Sequence, residues 1–282
     1  LLENFNIRTK KGWSVSNARK ALSKVKVEDK IIKTNYRPFD DRWIFYDGSL
    51  VWGQSWPTMK HLVKINGNLS LISTRMTKDK WDVMVSRNIS SHKAMSAYDT
   101  NSIFPLWIIE KESGNKKCSF SLHFVNRVRS HLDYKMGLDK QQYDEFCTKI
   151  FCYMYGVLQS ESYRNRYRDF LISDFPRIPF TTNRKLFEKI AEKGASLIHL
   201  HLLEGKVEAK GITVLGNEEL IVEKPTFSDN TIWLNKKQTI GFSGVNEDVW
   251  NFKIGGYQVC HKWLKDRIQN IAKNRPSARL SI

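Results

Sequence analysis

Residues Asp139–Gln159 read DKQQYDEFCTKIFCYMYGVLQ. Tyr143, Phe146, Ile150, Phe151, Met154 and Leu158 recur in this stretch near helical spacing, so the sequence predicts one long helix with an apolar stripe. Such a stripe must be buried against another element. On its C-terminal side, Ser160 or Ser162 stands where an N-cap would start a second helix, Tyr163–Ile172. Tyr163, Tyr167 and Phe170 fall at i, i+4 and i+7 there and are expected to face the core, while Arg164 and Arg168 form a separate basic ridge. Pro176 and Pro179 then impose an extended crossing, and Leu186–Leu203 reads as a further amphipathic helix.

On its N-terminal side the period changes. From Tyr36 to about Val125 the pairs Trp43 and Phe45, Leu69 and Leu71, and Val83 and Val85 are each separated by one residue. Asp47-Gly48, Asn66-Gly67-Asn68 and Gly114-Asn115 break the runs with turn residues. This spacing predicts strands joined by long polar loops. Ahead of them, residues 8–33 are polar and basic, and Ser16 could cap a short helix, Asn17–Val25. Beyond Gly205 the strand pattern returns at Val207, Ile212, Val214, Leu220, Val222, Ile232, Leu234, Ile240 and Phe242. Trp263–Lys273 closes as a basic helix. The expected fold is α+β: a β-rich first half, a helical middle, a small C-terminal sheet and the closing helix. Residues 1–125 form the expected β-rich subdomain and residues 126–282 the helical and small-sheet subdomain, together one region.

Composition narrows the partner. The 282 residues include 46 Lys and Arg against 29 Asp and Glu, a formal charge of +17, and 34 aromatic residues (15 Phe, 10 Tyr, 9 Trp) exclude a disordered basic tail. The excess is +9 over residues 1–100, +5 over 101–200 and +3 over 201–282, so a polyanion-binding face is expected mainly in the first third. Nucleic acid ranks first among polyanions and an acidic membrane surface second. No apolar run approaches the roughly 20 residues that span a bilayer, and Leu1 and Leu2 lead straight into polar sequence without a secretory signal. The chain opens without Met and is expected to be part of something longer. Cys118, Cys147, Cys152 and Cys260 make no CxxC pair and have no His at zinc-finger spacing, which points to free thiols in a reducing cytoplasm.

Catalytic signatures are sparse. An adenine methyltransferase needs a cofactor glycine loop and an Asn/Asp-Pro-Pro-aromatic turn, but the chain contains no Pro-Pro, and Gly241, Gly244 and Gly255-Gly256 read as structural turns. Glu208-Ala209-Lys210, with Glu204 as a further carboxylate, imitates the end of an acid–x–Lys nuclease core that would hold Mg²⁺. Flanking Gly205 and Gly211 suit an exposed hairpin equally well. His199 and His201 are two apart on the expected helix and point in different directions, which argues against joint metal ligation.

Binding features are richer. Ser73–His92 reads STRMTKDKWDVMVSRNISSH and interleaves Arg75, Lys78, Lys80 and Arg87 with Trp81, Asn88, Ser90, Ser91 and His92. Arg can bond O6 and N7 of guanine bidentately and Asn can do the same at N6 and N7 of adenine, each good pair discriminating by roughly 1–3 kcal/mol. Lys, Ser and backbone amides suit phosphates. Arg164 and Arg168 are candidate phosphate contacts. Arg37 and Arg42 are candidates too, although Asp40 and Asp41 compete for them. Lys262, Lys265, Arg267 and Lys273 add a basic C-terminal segment with the same ambiguity.

Three segments together resemble one family. YRPFDDRWIFYD spans Tyr36–Asp47, IFCYMYGVLQSESYRNRYRDFLISDFPRIPF spans Ile150–Phe180, and VWNFKIGGYQVCHKWLKDR spans Val249–Arg267, with FPLW at Phe104–Trp107 between the first two. Their order and spacing resemble the C-terminal specificity region of type ISP restriction–modification enzymes and related single-chain N6-adenine methyltransferases. The resemblance implies a target-recognition domain for an asymmetric site in double-stranded DNA, preceded in the parent enzyme by a nuclease, a helicase-like motor and a methyltransferase. It implies S-adenosylmethionine, Mg²⁺ and ATP for the parent and no cofactor or catalytic residue for this chain. The implied setting is a prokaryotic cytoplasm, on the nucleoid, with no membrane. Tyr36, Phe39, Trp43, Phe151, Tyr155, Tyr257 and Trp263 are expected to hold the scaffold. Two other readings stay open: a Mg²⁺-dependent nuclease using Glu208 and Lys210, and a docking domain for a methyltransferase.

Overall fold

Short polar side chains set where the helices begin. The structure, a computed structural model, describes residues 14–51, 53–135, 139–205, 209–216 and 219–268. Arg8, Lys10, Lys11, Val207, Glu208 and the distal part of the expected Trp263–Lys273 helix lie outside the described residues. Helix α1 (Val15–Leu22) starts from Ser14, whose hydroxyl accepts from the Asn17 amide, so the cap is Ser14 rather than Ser16. Ser121, Asp139, Ser160 and Asn183 cap α3 (Leu122–His131), α4 (Lys140–Gln159), α5 (Glu161–Arg166) and α7 (Arg184–His201) in the same way. The segment expected to be β-rich also holds α2 (Trp56–Lys64), which begins with Pro57 in its first turn.

The expected long helix is α4, and it packs against α7 with almost no space between the backbones. Gly156 and Gly194 make this possible. A Cβ at Gly194 would collide with the Cys152 carbonyl oxygen, and one at Gly156 would lie 2.8 Å from the Ile190 carbonyl oxygen. Phe146, Ile150, Phe151, Tyr155 and Leu158 of α4 share one core with Phe187, Ala191 and Ile198 of α7. The same core takes in Leu71, Val83 and Val85, so it straddles residue 125.

Those three residues belong to a sheet of β3 (Ser70–Thr74), β4 (Val83–Ser86) and β6 (Asn101–Pro105), with β3 central and both pairings antiparallel. Every residue of β3 and β4 is buried. Leu71, Val83 and Val85 face the helical core, while Ile72 and Met84 join Met95 and Ile254 on the opposite face. The spaced apolar pairs therefore mark strands, but strands covered on both faces. Strands β1 (Ile31–Arg37) and β2 (Asp40–Phe45) form a hairpin, and β5 (Ile89–Ser90) adds to β1 in parallel. Helix α2 packs Met59 and Leu62 on this sheet beside Tyr46 and Ile89. Strands β7 (Trp107–Ile109) and β8 (Lys116–Cys118) form a second hairpin around Gly114, at φ 71°.

The small C-terminal sheet is antiparallel in the order β10 (Thr226–Ser228), β11 (Thr231–Trp233), β12 (Gly241–Ser243), β9 (Thr213–Leu215). Leu220 and Val222 lie outside its strands, although Val222 is in its core. After α8 (Glu247–Asn251), the short hairpin β13 (Lys253–Ile254) and β14 (Tyr257–Gln258) leads to α9 (Val259–Lys265), whose Leu264 completes that core. The architecture is α+β, as expected. The four cysteines are free, with Cys118, Cys147 and Cys152 buried. Among the described residues no helix is long and apolar enough to cross a membrane.

Two expectations need correction. The helix expected over Tyr163–Ile172 is broken at Tyr167, which leaves helical geometry at φ −111°, ψ 19°; α6 (Arg168–Leu171) follows. The break rotates the last turn, so Leu171 is buried and Phe170 is 73% exposed, contrary to the i, i+7 expectation. Trp43 is 66% exposed rather than part of the scaffold, because strand alternation puts it on the outer face opposite Lys33, whose ammonium lies 5.4 Å from its ring centre.

Candidate nucleic-acid interface

The loop after β3 runs against α5 and α6. The Thr77 amide donates to the Ile172 carbonyl at 3.0 Å, and Arg75 Nε bonds Asp174 Oδ1 at 2.9 Å on the surface. Between loop and helices lies a cleft of about 500 Å³ lined by Thr77, Lys78, Asp79, Lys80, Trp81, Arg164, Asn165 and Arg168, four cations to one carboxylate. Lys78, Lys80, Arg164 and Arg168, all candidate contacts in the sequence, are therefore neighbours, although about ninety positions separate Lys78 from Arg168. Lys78, Lys80 and Arg168 are exposed, and none of the three makes a salt bridge among the described residues.

Arg164 is different. Its guanidinium donates to Asp82 Oδ1 at 2.7 Å, Gln159 Oε1 at 2.6 Å and the Leu158 carbonyl at 2.7 Å, over the face of Trp81. Its side chain is only 19% exposed, so the expected basic ridge reduces to Arg168. Asp82 also accepts from the backbone amides of Val83 and Gly255, so this ion pair joins β4, α5 and the β13–β14 turn.

The β1–β2 hairpin builds a second polar centre around Asp40, which is 2% exposed. Arg42 donates to it at 2.8 Å and Arg267 at 2.9 Å. Burial works against the charge, but the two guanidinium groups outweigh it and hold the carboxyl below the usual carboxylate range. Arg42 also lies over Tyr36. Arg37 sits over the rings of Tyr36 and Tyr257 and donates to the Tyr36 carbonyl and to Ser91 Oγ. Ser90 is buried in β5. His92 is exposed, with Nε2 3.0 Å from the Gly53 carbonyl. Tyr257, Phe151 and Tyr155 are buried as expected of scaffold residues, and Trp263 lies beneath Arg267.

A third group flanks the hairpin. Arg87 Nε bonds Glu204 Oε1 at 2.5 Å and Nη1 bonds the Gly67 carbonyl, while Glu204 Oε2 meets His199 Nδ1 at 2.8 Å. The Arg87 hydrogen bond is the main reason the Glu204 carboxyl titrates low. Asn88 Nδ2 donates to Asp41 Oδ2 at 2.7 Å. These residues border a polar cleft of about 300 Å³ that also meets Lys33, Asn35 and Phe39.

The enzymatic alternatives gain little from the geometry. Glu208 lies outside the described residues, and Glu204 is committed to Arg87 and His199. His201 turns inward to the Tyr155 hydroxyl, at 2.5 Å, so the two histidines do point apart. Among the described residues, no group of three or more His, Cys, Asp and Glu could hold a metal. Nor do the glycines fit a nucleotide loop for S-adenosylmethionine: Gly241 is inside β12, and Gly255-Gly256 is pressed against Met95 and Asp79. Sequence reasoning passed over Asn165, which its place between two arginines could have signalled. Nothing in the spacing signals Asp82 as the partner of Arg164, or Arg267 as the partner of Asp40.

Three solved structures share the fold. A nuclease-deletion mutant of the Type ISP restriction-modification enzyme LlaGI, in complex with a DNA substrate mimic, matches with TM-score 0.62 at 21% identity over 85% of this chain. The DrdV–DNA complex matches with TM-score 0.69 at 18% identity over 86%. The ATP-dependent Type ISP restriction-modification enzyme LlaBIII bound to DNA matches with TM-score 0.68 at 18% identity over 91%. The matches cover 17%, 24% and 17% of those chains respectively. No curated protein matches. The model of the Type ISP C-terminal specificity domain matches residues 2–279, nearly the whole length, and the chain belongs to that family.

Proposed function

We propose that this chain recognises a specific sequence in double-stranded DNA as the target-recognition part of a restriction–modification enzyme. Membership of the specificity-domain family supports the reading, and so do the three structural neighbours, each in complex with DNA or a DNA mimic. The observation that carries it is the cleft between the Thr77–Trp81 loop and α5–α6. There Lys78, Lys80 and Arg168 converge as exposed cations, none in a salt bridge among the described residues although the Lys78 charge acts on Asp99, with Asp79 and Asn165 beside them. Exposed cations on a folded scaffold suit the phosphate backbone, and Asn165 can add contacts to phosphate or base edges. Arg75 and His92, both exposed, are assigned to DNA contact as well. Arg37, Arg42, Arg87, Asn88, Ser90, Ser91 and Arg164 act mainly by shaping the surface.

The methyltransferase domain of the parent chain is the proposed protein partner, and methyl transfer, translocation and cleavage, with S-adenosylmethionine, ATP and Mg²⁺, are assigned to other parts of that enzyme. Fluorescence anisotropy of the chain against a random-sequence duplex pool tests the DNA reading. Binding should weaken steeply as salt rises, because counterions are released from each contacted phosphate. Absence of duplex binding at low salt would refute it.

A further inference from the structure

The polar cleft beside the β1–β2 hairpin has a different chemistry from the cationic one. Lys33, Asn35, Phe39 and Asp41 come from the hairpin and its turn, and Arg87 and Asn88 from the link between β4 and β5. Two carboxylates, Asp41 and Glu204, line it against two cations, Lys33 and Arg87, so it does not suit a phosphate. Its acceptors are the unusual part. Asn35 is 5% exposed, and its Nδ2 donates to the Arg37 carbonyl at 3.2 Å and to Asp41 Oδ1 at 3.4 Å. That pairing orients the amide and leaves Oδ1 buried, accepting nothing among the described residues. A buried acceptor without a donor is costly and is rare unless something else supplies the proton.

Asp41 places a carboxylate beside it. Burial raises its pKa, against the opposing hydrogen bonds from Asn35 and Asn88 and the charge of Lys33. Phe39, in the left-handed region at φ 56°, brings an aromatic side chain to the cleft, and Lys33 brings an exposed cation. Paired acceptors, an aromatic side chain and a cation suit a flat, uncharged heterocycle that donates from an amine and is attached to a phosphate chain. We propose that this cleft receives one extrahelical nucleobase carrying an exocyclic amine (adenine, cytosine or guanine), with Asp41 accepting from that amine and Asn35 Oδ1 becoming its second acceptor as the base displaces the side chains that cover it. The proposal rests on the duplex-DNA reading above. Base extrusion into a fitted pocket is established physics for proteins that act on DNA, and thymine, which lacks the amine, is the natural counter-test.

The probe is a fluorescein-labelled duplex, either perfectly paired or with one bulged dA, dC, dG or dT, titrated with the whole chain. A bulged dA, dC or dG should tighten binding about tenfold over the perfect duplex, the worth of one charge-assisted hydrogen bond. A bulged dT should not. In Asp41→Asn the preference for amine-bearing bulges should collapse while affinity for the perfect duplex stays the same. Perfect-duplex binding with equal affinity for dT and dA bulges overturns the pocket alone, and this comparison needs only the unaltered chain. A preference that survives Asp41→Asn also overturns it. No binding to any of these DNAs overturns the pocket together with the reading on which it rests.

Discussion

Arg164 and Arg168 stand four residues apart, yet one lies inside the molecule and the other outside. Arg164 spends its donors on Asp82, Gln159 and the Leu158 carbonyl, whereas Arg168 projects into solvent beside Lys78 and Lys80. The same division runs through the rest of the chain. Arg37, Arg42, Arg87 and Arg267 are tied to carboxylates, carbonyls, hydroxyls or rings. Arginine can fill this role because its planar fork holds several acceptors at once. A charge of +17 therefore overstates the number of cations free for a polyanion, and charge count alone cannot locate the binding face.

The contrast yields expectations that descend in size. Asp82→Ala leaves the largely buried Arg164 without its carboxylate and should cost about 3–5 kcal/mol in urea unfolding. A loss below about 1 kcal/mol would mean that Arg164 is less internal than the geometry states. Arg164→Lys keeps the charge but loses the fork, and should cost roughly 1.5–3 kcal/mol. If it costs nothing, charge alone holds that junction.

Asp40 supplies a pH test. Its folded pKa is depressed, so its stabilising contribution is present above 3.8, its ordinary value, and disappears as pH falls through the lower folded value. The urea midpoint of the unaltered chain should therefore exceed that of Asp40→Asn at neutral pH, and the gap should close below 3.8. A gap independent of pH would break the account of the Arg42–Asp40–Arg267 centre. The smallest stability effect belongs to the exposed cations. Lys78→Ala, Lys80→Ala and Arg168→Ala should each stay within about 0.5 kcal/mol, as surface changes do.

Local chemistry made much of this legible in advance. The α4 stripe, the Ser160 cap and the turns at Asp47, Gly67 and Gly114 follow from periodicity and side-chain preference over a few residues. Helices α2 and α3 are hard to read from sequence because each is only nine or ten residues long, too short for Trp56, Met59 and Leu62, or Leu122, Val125 and Val128, to stand out as a helical period from the strand-like context. The two-sided burial of β3 and β4 depends on Ile254 and Met95 arriving from elsewhere in the chain. The candidate site divides along the same line. Composition picked out its basic segments, but which arginines were already taken was decided by Asp82 and Asp40, partners 82 and 227 positions away from Arg164 and Arg267. Long-range pairing of this kind leaves no local signature.

The most direct test compares salt slopes. Duplex affinity should be measured against salt for the unaltered chain, for the triple variant Lys78→Ala, Lys80→Ala, Arg168→Ala, and for Arg42→Ala with Arg87→Ala. Each lost phosphate contact reduces the slope of log K against log salt by about 0.9. The triple variant should therefore lose up to roughly 2.7 from that slope while remaining as stable as the parent, and the Arg42 and Arg87 pair should leave the slope unchanged. A slope that the triple variant leaves intact, or that falls in the Arg42 and Arg87 pair instead, would contradict the assignment of the binding face to the cleft beside α5 and α6.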